Sequence, residues 1–159
     1  GEAKQQDEAF IAGLMHDMGK VLMFTHDPKK YTEVIKLCLA EDLPSVEIET
    51  RLYGFDHYQV GSEAVSQWRL PERFIDYMGK PLAPVPESYA REPVLLGLAV
   101  ANCLIGSHGI GAIAMPDVDT RRAALLAFGI SADTCAPWLE EDFLPGLMAN
   151  DTYQLCANL

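Results

Sequence analysis

Cationic residues are scarce in this chain. Its 12 Lys and Arg face 23 Asp and Glu, giving a formal charge of −11. So acidic a chain lacks the basic footprint that grips phosphate backbones or anionic lipid, and nucleic acid and membrane surfaces are not expected partners. Cysteine is sparse too. Cys38, Cys103, Cys135 and Cys156 form no Cys-x-x-Cys pair, which disfavours a zinc knuckle. Read as small core hydrophobes, they suit a reducing compartment. There is no long apolar run: Val94 to Ile105 is interrupted by Gly97 and Asn102 and falls short of the ~20 residues of a membrane span. The first nine residues are polar and acidic, unlike a secretory leader, so a cytoplasmic location is expected. Strand alternation and Asn-Gly hairpin signals are missing, as are a phosphate-cradling glycine loop after a strand and a Gly-x-Ser-x-Gly elbow.

What is present is helical periodicity. Hydrophobic residues make up 49% of 159 positions, enough for the core of one domain spanning 1–159. Phe10, Ile11, Leu14, Met15, Met18, Val21 and Leu22 recur at intervals of three and four, predicting one helix from about Gln6 to Thr25. Asp27-Pro28 is a cap and first-turn pair for a second helix carrying Tyr31, Val34, Ile35 and Cys38. Pro44-Ser45 opens a third, ending at Gly54. A fourth starts at Asp56 and carries Tyr58, Val60, Ala64, Val65 and Trp68; Leu70-Pro71 opens a fifth. Residues 80–91, rich in proline, read as a loop before an Ala- and Leu-rich helix over Pro93–Ser107. Thr120–Phe128 reads as a short helix. Ser131 caps a last helical region, where Pro145 is expected to kink or break the chain. The fold class is all-α, a compact multi-helix bundle.

Within the first helix, His16-Asp17 stands in an apolar run and is followed by Gly19-Lys20. An imidazole and a carboxylate from one helical turn are donors a divalent metal accepts. The stretch FIAGLMHDMGKVLM is followed by a second, Glu49-Thr50-Arg51-Leu52-Tyr53-Gly54-Phe55-Asp56-His57-Tyr58-Gln59-Val60-Gly61, which continues to Trp68-Arg69-Leu70-Pro71. Together and in this order they resemble the HDOD domain, a helical signalling branch of the HD superfamily, over about residues 8–106. Residues 118–159 then form a C-terminal helical extension. The resemblance implies a helical bundle, a role in bacterial signal transduction and no known catalytic activity. Few residues precede the first motif, so the chain is expected to carry the C-terminal part of such a domain. Its partner is then a protein, or a missing N-terminal half, with a dimer as a further possibility.

Active members of the HD superfamily, as the resemblance implies, add an earlier His and a later Asp to the His-Asp pair. No His precedes His16, and Asn102 stands where that Asp is expected. A neutral carbonyl oxygen there holds a cation less well than a carboxylate. His16 and Asp17 are therefore read as a residual pair without a bound metal, and no cofactor and no enzymatic activity are expected. A divalent metal belongs only to the alternative, a metal-dependent phosphohydrolase completed by ligands such as His57 or His108. A small-molecule sensor using the emptied pocket is a third reading. Lys20 is a candidate phosphate contact or a snorkelling surface cation. Asp56 is read as a helix cap, His57 as a first-turn residue, His26 as a helix-end cation and His108 as a turn residue. Trp68 and Trp138 are expected to anchor the core.

Overall fold

The computed structural model describes residues 2–81, 92–107, 118–127 and 129–150. Every regular element among them is helical: no strand occurs among the described residues. His108 and Cys156 lie outside them. The chain packs as two units, residues 1–99 and 100–159.

The first unit begins with α1 (Glu2–Met15) and α2 (Met18–His26). The apolar stripe predicted one helix here, but the chain breaks at His16-Asp17. His16 supplies the reason. Its Nδ1 lies 2.7 Å from the Gly13 carbonyl, the acceptor that an unbroken helix would offer to the Asp17 amide. The stripe is not a core stripe either. Phe10, Ile11, Leu14 and Val21 are exposed, whereas Ala12 and Met23 are buried.

Asp27 caps α3 (Pro28–Glu41) by accepting from the Lys30 amide at 3.0 Å, with Pro28 in the first turn as expected. α4 (Ser45–Tyr53) ends at Gly54, whose φ of 82° suits a residue without a Cβ. Arg51 forks both oxygens of Glu41 and ties α4 to α3. The core here gathers Met23, Tyr31, Val34, Cys38 and Ile48. Ile35, expected on the same face, is instead exposed.

α5 (His57–Gln67) opens with a complete capping box. Asp56 accepts from the Gln59 amide at 2.9 Å, and the Gln59 side chain accepts from the Asp56 amide at 3.1 Å. Asp56→Ala is expected to cost about 1–2 kcal/mol, read by urea denaturation. Trp68 lies just past the end of α5 and is 46% exposed, so it is not the core anchor expected. The helix terminates through Arg69, which adopts the left-handed φ of 56°. α6 (Phe74–Met78) follows and buries Tyr77 and Met78.

α7 (Pro93–Ser107) spans the boundary between the units and buries Leu95, Leu98, Ala99, Val100 and Leu104, while Asn102 is exposed. In the second unit, α8 (Val118–Ala127) is followed by α9 (Ala132–Cys135), a 3-10 turn (Ala136–Leu139) and α10 (Phe143–Met148). Leu125, Cys135 and Leu139 are its buried centre. Ser131 caps α9 as read from the sequence. Pro145 does not kink a helix: it falls in the first turn of α10, where its missing N–H leaves no bond unmade.

Candidate functional site

The break between α1 and α2 presents His16, Asp17 and Lys20 in one turn. The Nδ1 contact to Gly13 leaves His16 Nε2 facing Asp17 Oδ2 at 3.5 Å. That spacing alone would let one ion touch both atoms, since ligand bonds of about 2.0–2.2 Å place donors roughly this far apart. The rest of the donor set does not fit a cation. Lys20 Nζ lies 2.9 Å from Asp17 Oδ1 and already compensates the carboxylate. Among the described residues, no group of three His, Cys, Asp or Glu side chains converges on a metal position. Asn102 is exposed. Among the described residues the turn therefore brings His16 and Asp17 together without a third ligand.

The second motif meets the first backbone to backbone. A Cβ added to Gly19 would sit 1.9 Å from the carbonyl oxygen of His57, so α2 crosses the start of α5 at a distance that only glycine permits. Gly61 repeats the device on the other side: its Cβ would lie 2.1 Å from the Met78 carbonyl oxygen of α6.

The His57 side chain points into the protein. It is 2% exposed, and its Nδ1 donates to Glu49 Oε2 at 2.6 Å. The His57 backbone amide donates to the same oxygen at 2.9 Å, and Tyr31 Oη donates to Glu49 Oε1 at 2.7 Å. Glu49 is fully buried. Burial works to raise its carboxyl pKa, but the bonds from His57 and Tyr31 outweigh that and hold it below the ordinary carboxylate value. The Tyr31 phenol is pushed well above its ordinary value by burial, then by the hydrogen bond and charge of Glu49. One carboxylate thus fastens α3, α4 and α5. His57 Nε2 is buried without a hydrogen-bond partner among the described residues. From the sequence, Glu49 stood only as a motif letter and Tyr31 only on a helix face, and neither was a candidate site residue. The available signal was a Glu eight positions before a His, with both at inward-facing positions.

An all-α unit built on two ordered motifs, His-Asp-x-Gly-Lys and Glu…Asp-His-x-x-x-Gly, defines an HD-superfamily-related helical domain. The family model of the HDOD domain matches residues 1–81, about half of the chain, and the chain belongs to that family. The matched segment lies in the N-terminal part of the chain, not toward its C-terminus, and stops before residue 106. An uncharacterised protein of Treponema pallidum (strain Nichols) is 25% identical over 100 residues, which cover 62% of this chain and 19% of that protein. The chain thus spans about a fifth of that relative's length. No solved structure gives a significant match. No helix among the described residues is long and apolar enough to cross a membrane.

Proposed function

We propose that this chain is a non-catalytic signal-transduction module of the HDOD type, working in bacterial regulation in the cytoplasm through contacts with a protein partner or with another part of its own polypeptide. The observation that carries this reading is the state of Asp17. Its carboxylate is paired with Lys20 at 2.9 Å, in a turn that brings no third ligand among the described residues. Hydrolysis of a phosphate ester by a metal needs a cation held firmly enough to acidify a bound water. A carboxylate already neutralised by an ammonium, beside a single imidazole, gives little hold. The other half of the motif signature is committed to packing, since His57 and Glu49 bind each other inside the core.

Metal analysis of the purified protein, paired with turnover of bis(p-nitrophenyl) phosphate in added Mn²⁺ or Mg²⁺, tests this. Substoichiometric metal is expected, with no hydrolysis above buffer and no difference between wild type and His16→Ala. Stoichiometric metal together with hydrolysis lost in His16→Ala would establish the phosphohydrolase alternative instead.

A further inference from the structure

The first unit carries an apolar trough on the flank of α5. Leu22, Phe55, Val60, Ala64 and Trp68 line it, and its volume is about 450 Å³. A second recess of about 260 Å³ shares Leu22, Phe55 and Val60 with the first and lengthens the trough. Phe55 and Trp68, both lining the trough, are 41% and 46% exposed. Exposed aromatics beside a groove are the side chains that dominate binding at protein interfaces.

The trough's polar edge is regular. Gln59, Glu63 and Gln67 are four residues apart and so stand in one row along α5. That row runs for about 12 Å, a little over two helical turns. Glu63 is the only charged side chain among the described residues lining the first recess, and it accepts from Gln67 Nε2 at 2.8 Å. Among the described residues no Lys or Arg lines either recess, though His26 lines the second, and the chain's formal charge is −11.

We infer that the trough docks an amphipathic helix of a partner protein, with apolar residues at i, i+3, i+4 and i+7 seated between Phe55 and Trp68 and a Lys or Arg on its flank meeting Glu63. Open apolar grooves of this length suit a helix face. Glu63 and the overall charge of −11 favour a basic occupant, and they oppose a second copy of this acidic chain. The inference rests on the reading of the domain as a protein-binding module and names the surface and the partner chemistry.

Trp68 makes the test direct. The chain has two Trp residues, so Trp138→Phe leaves Trp68 as the sole indole reporter. The probe is a designed helical Leu/Lys peptide of about four turns, or roughly 14 residues. Its titration is expected to shift Trp68 emission to the blue, because the indole leaves water. Glu63→Lys is expected to weaken that binding by about tenfold, with a smaller salt dependence. A matched Leu/Glu peptide is expected to give no shift. Equal shifts with both peptides, or binding indifferent to Glu63→Lys, would overturn the inference. So would a shift that follows protein concentration without peptide, or one given only by a small apolar dye. Absence of a peptide shift in a protein without phosphodiester turnover removes this surface and leaves the non-catalytic reading standing. Turnover would remove that reading instead.

Discussion

Glu49→Ala is expected to lower the stability of the domain by about 3–5 kcal/mol, because removing a buried carboxylate strands the donors that it accepts from. Three donors lose their acceptor at once: the His57 amide, His57 Nδ1 and the Tyr31 hydroxyl. None can turn to water, since His57 is 2% and Tyr31 6% exposed. Glu49→Gln keeps the shape and one acceptor oxygen, but loses the charge that strengthens all three bonds, and is expected to cost about 1.5–3 kcal/mol. Urea denaturation followed by circular dichroism measures both. The same cluster sets the pH dependence. Glu49 is held below its ordinary value in the fold, so as pH falls below about 4 the unfolded chain takes up its proton first and stability drops. Tyr31 is held above its ordinary value, so above about pH 10 the unfolded chain releases its proton first and stability drops again. Glu49→Gln is expected to flatten the acid limb. An acid limb unchanged in that variant would show that other carboxylates govern it.

Gly19→Ala is expected to be about as damaging, at ~3 kcal/mol or more, at the upper end of overpacking costs. The new Cβ would stand 1.9 Å from a backbone oxygen, which cannot rotate away as a side chain can. To reach an ordinary contact of 3.4 Å, α2 and α5 would have to part by ~1.5 Å, opening the packing around Met23 and Ile48. Gly13→Ala is the matched control. It lies inside α1 with nothing within 4 Å of the added atom, so the substitution is expected to stabilise by roughly 0.5–1 kcal/mol through helix propensity alone. The pair separates the two effects, because the propensity gain is common to both positions. Thermal unfolding of the two variants in one buffer reads the difference; a Gly19→Ala melt at or above wild type would mean that α2 and α5 do not cross in close contact.

Much of the architecture was legible before the structure. Caps with a chemical signature were found where expected: Asp27 before Pro28, Asp56, and Ser131, although the reciprocal bond from Gln59 was not read. These depend on local hydrogen bonds, which neighbouring residues determine. Periodicity also separated helix from strand. It failed to say which helical face is buried, because that depends on which element packs there. Phe10 and Leu14 belong to an apolar stripe yet stand in solvent, and Trp68 sits at a helix end outside the core. The break at His16-Asp17 was hidden for another reason: nothing in the spacing shows that an imidazole takes a main-chain acceptor. The motif letters were recognised, but four of them serve the scaffold. Gly19 and Gly61 let backbones cross, and Glu49 and His57 bind each other. The signature of this family member is in large part a description of how α2, α4, α5 and α6 touch.

The glycine crossings also matter to anyone using this domain as an engineering scaffold. A combinatorial library should hold positions 19 and 61 invariant, since each has a carbonyl oxygen where any methyl would go. Diversity belongs instead on Phe10, Leu14 and Leu39, whose side chains are 62%, 69% and 64% exposed and can be recoded for solubility without disturbing the interior.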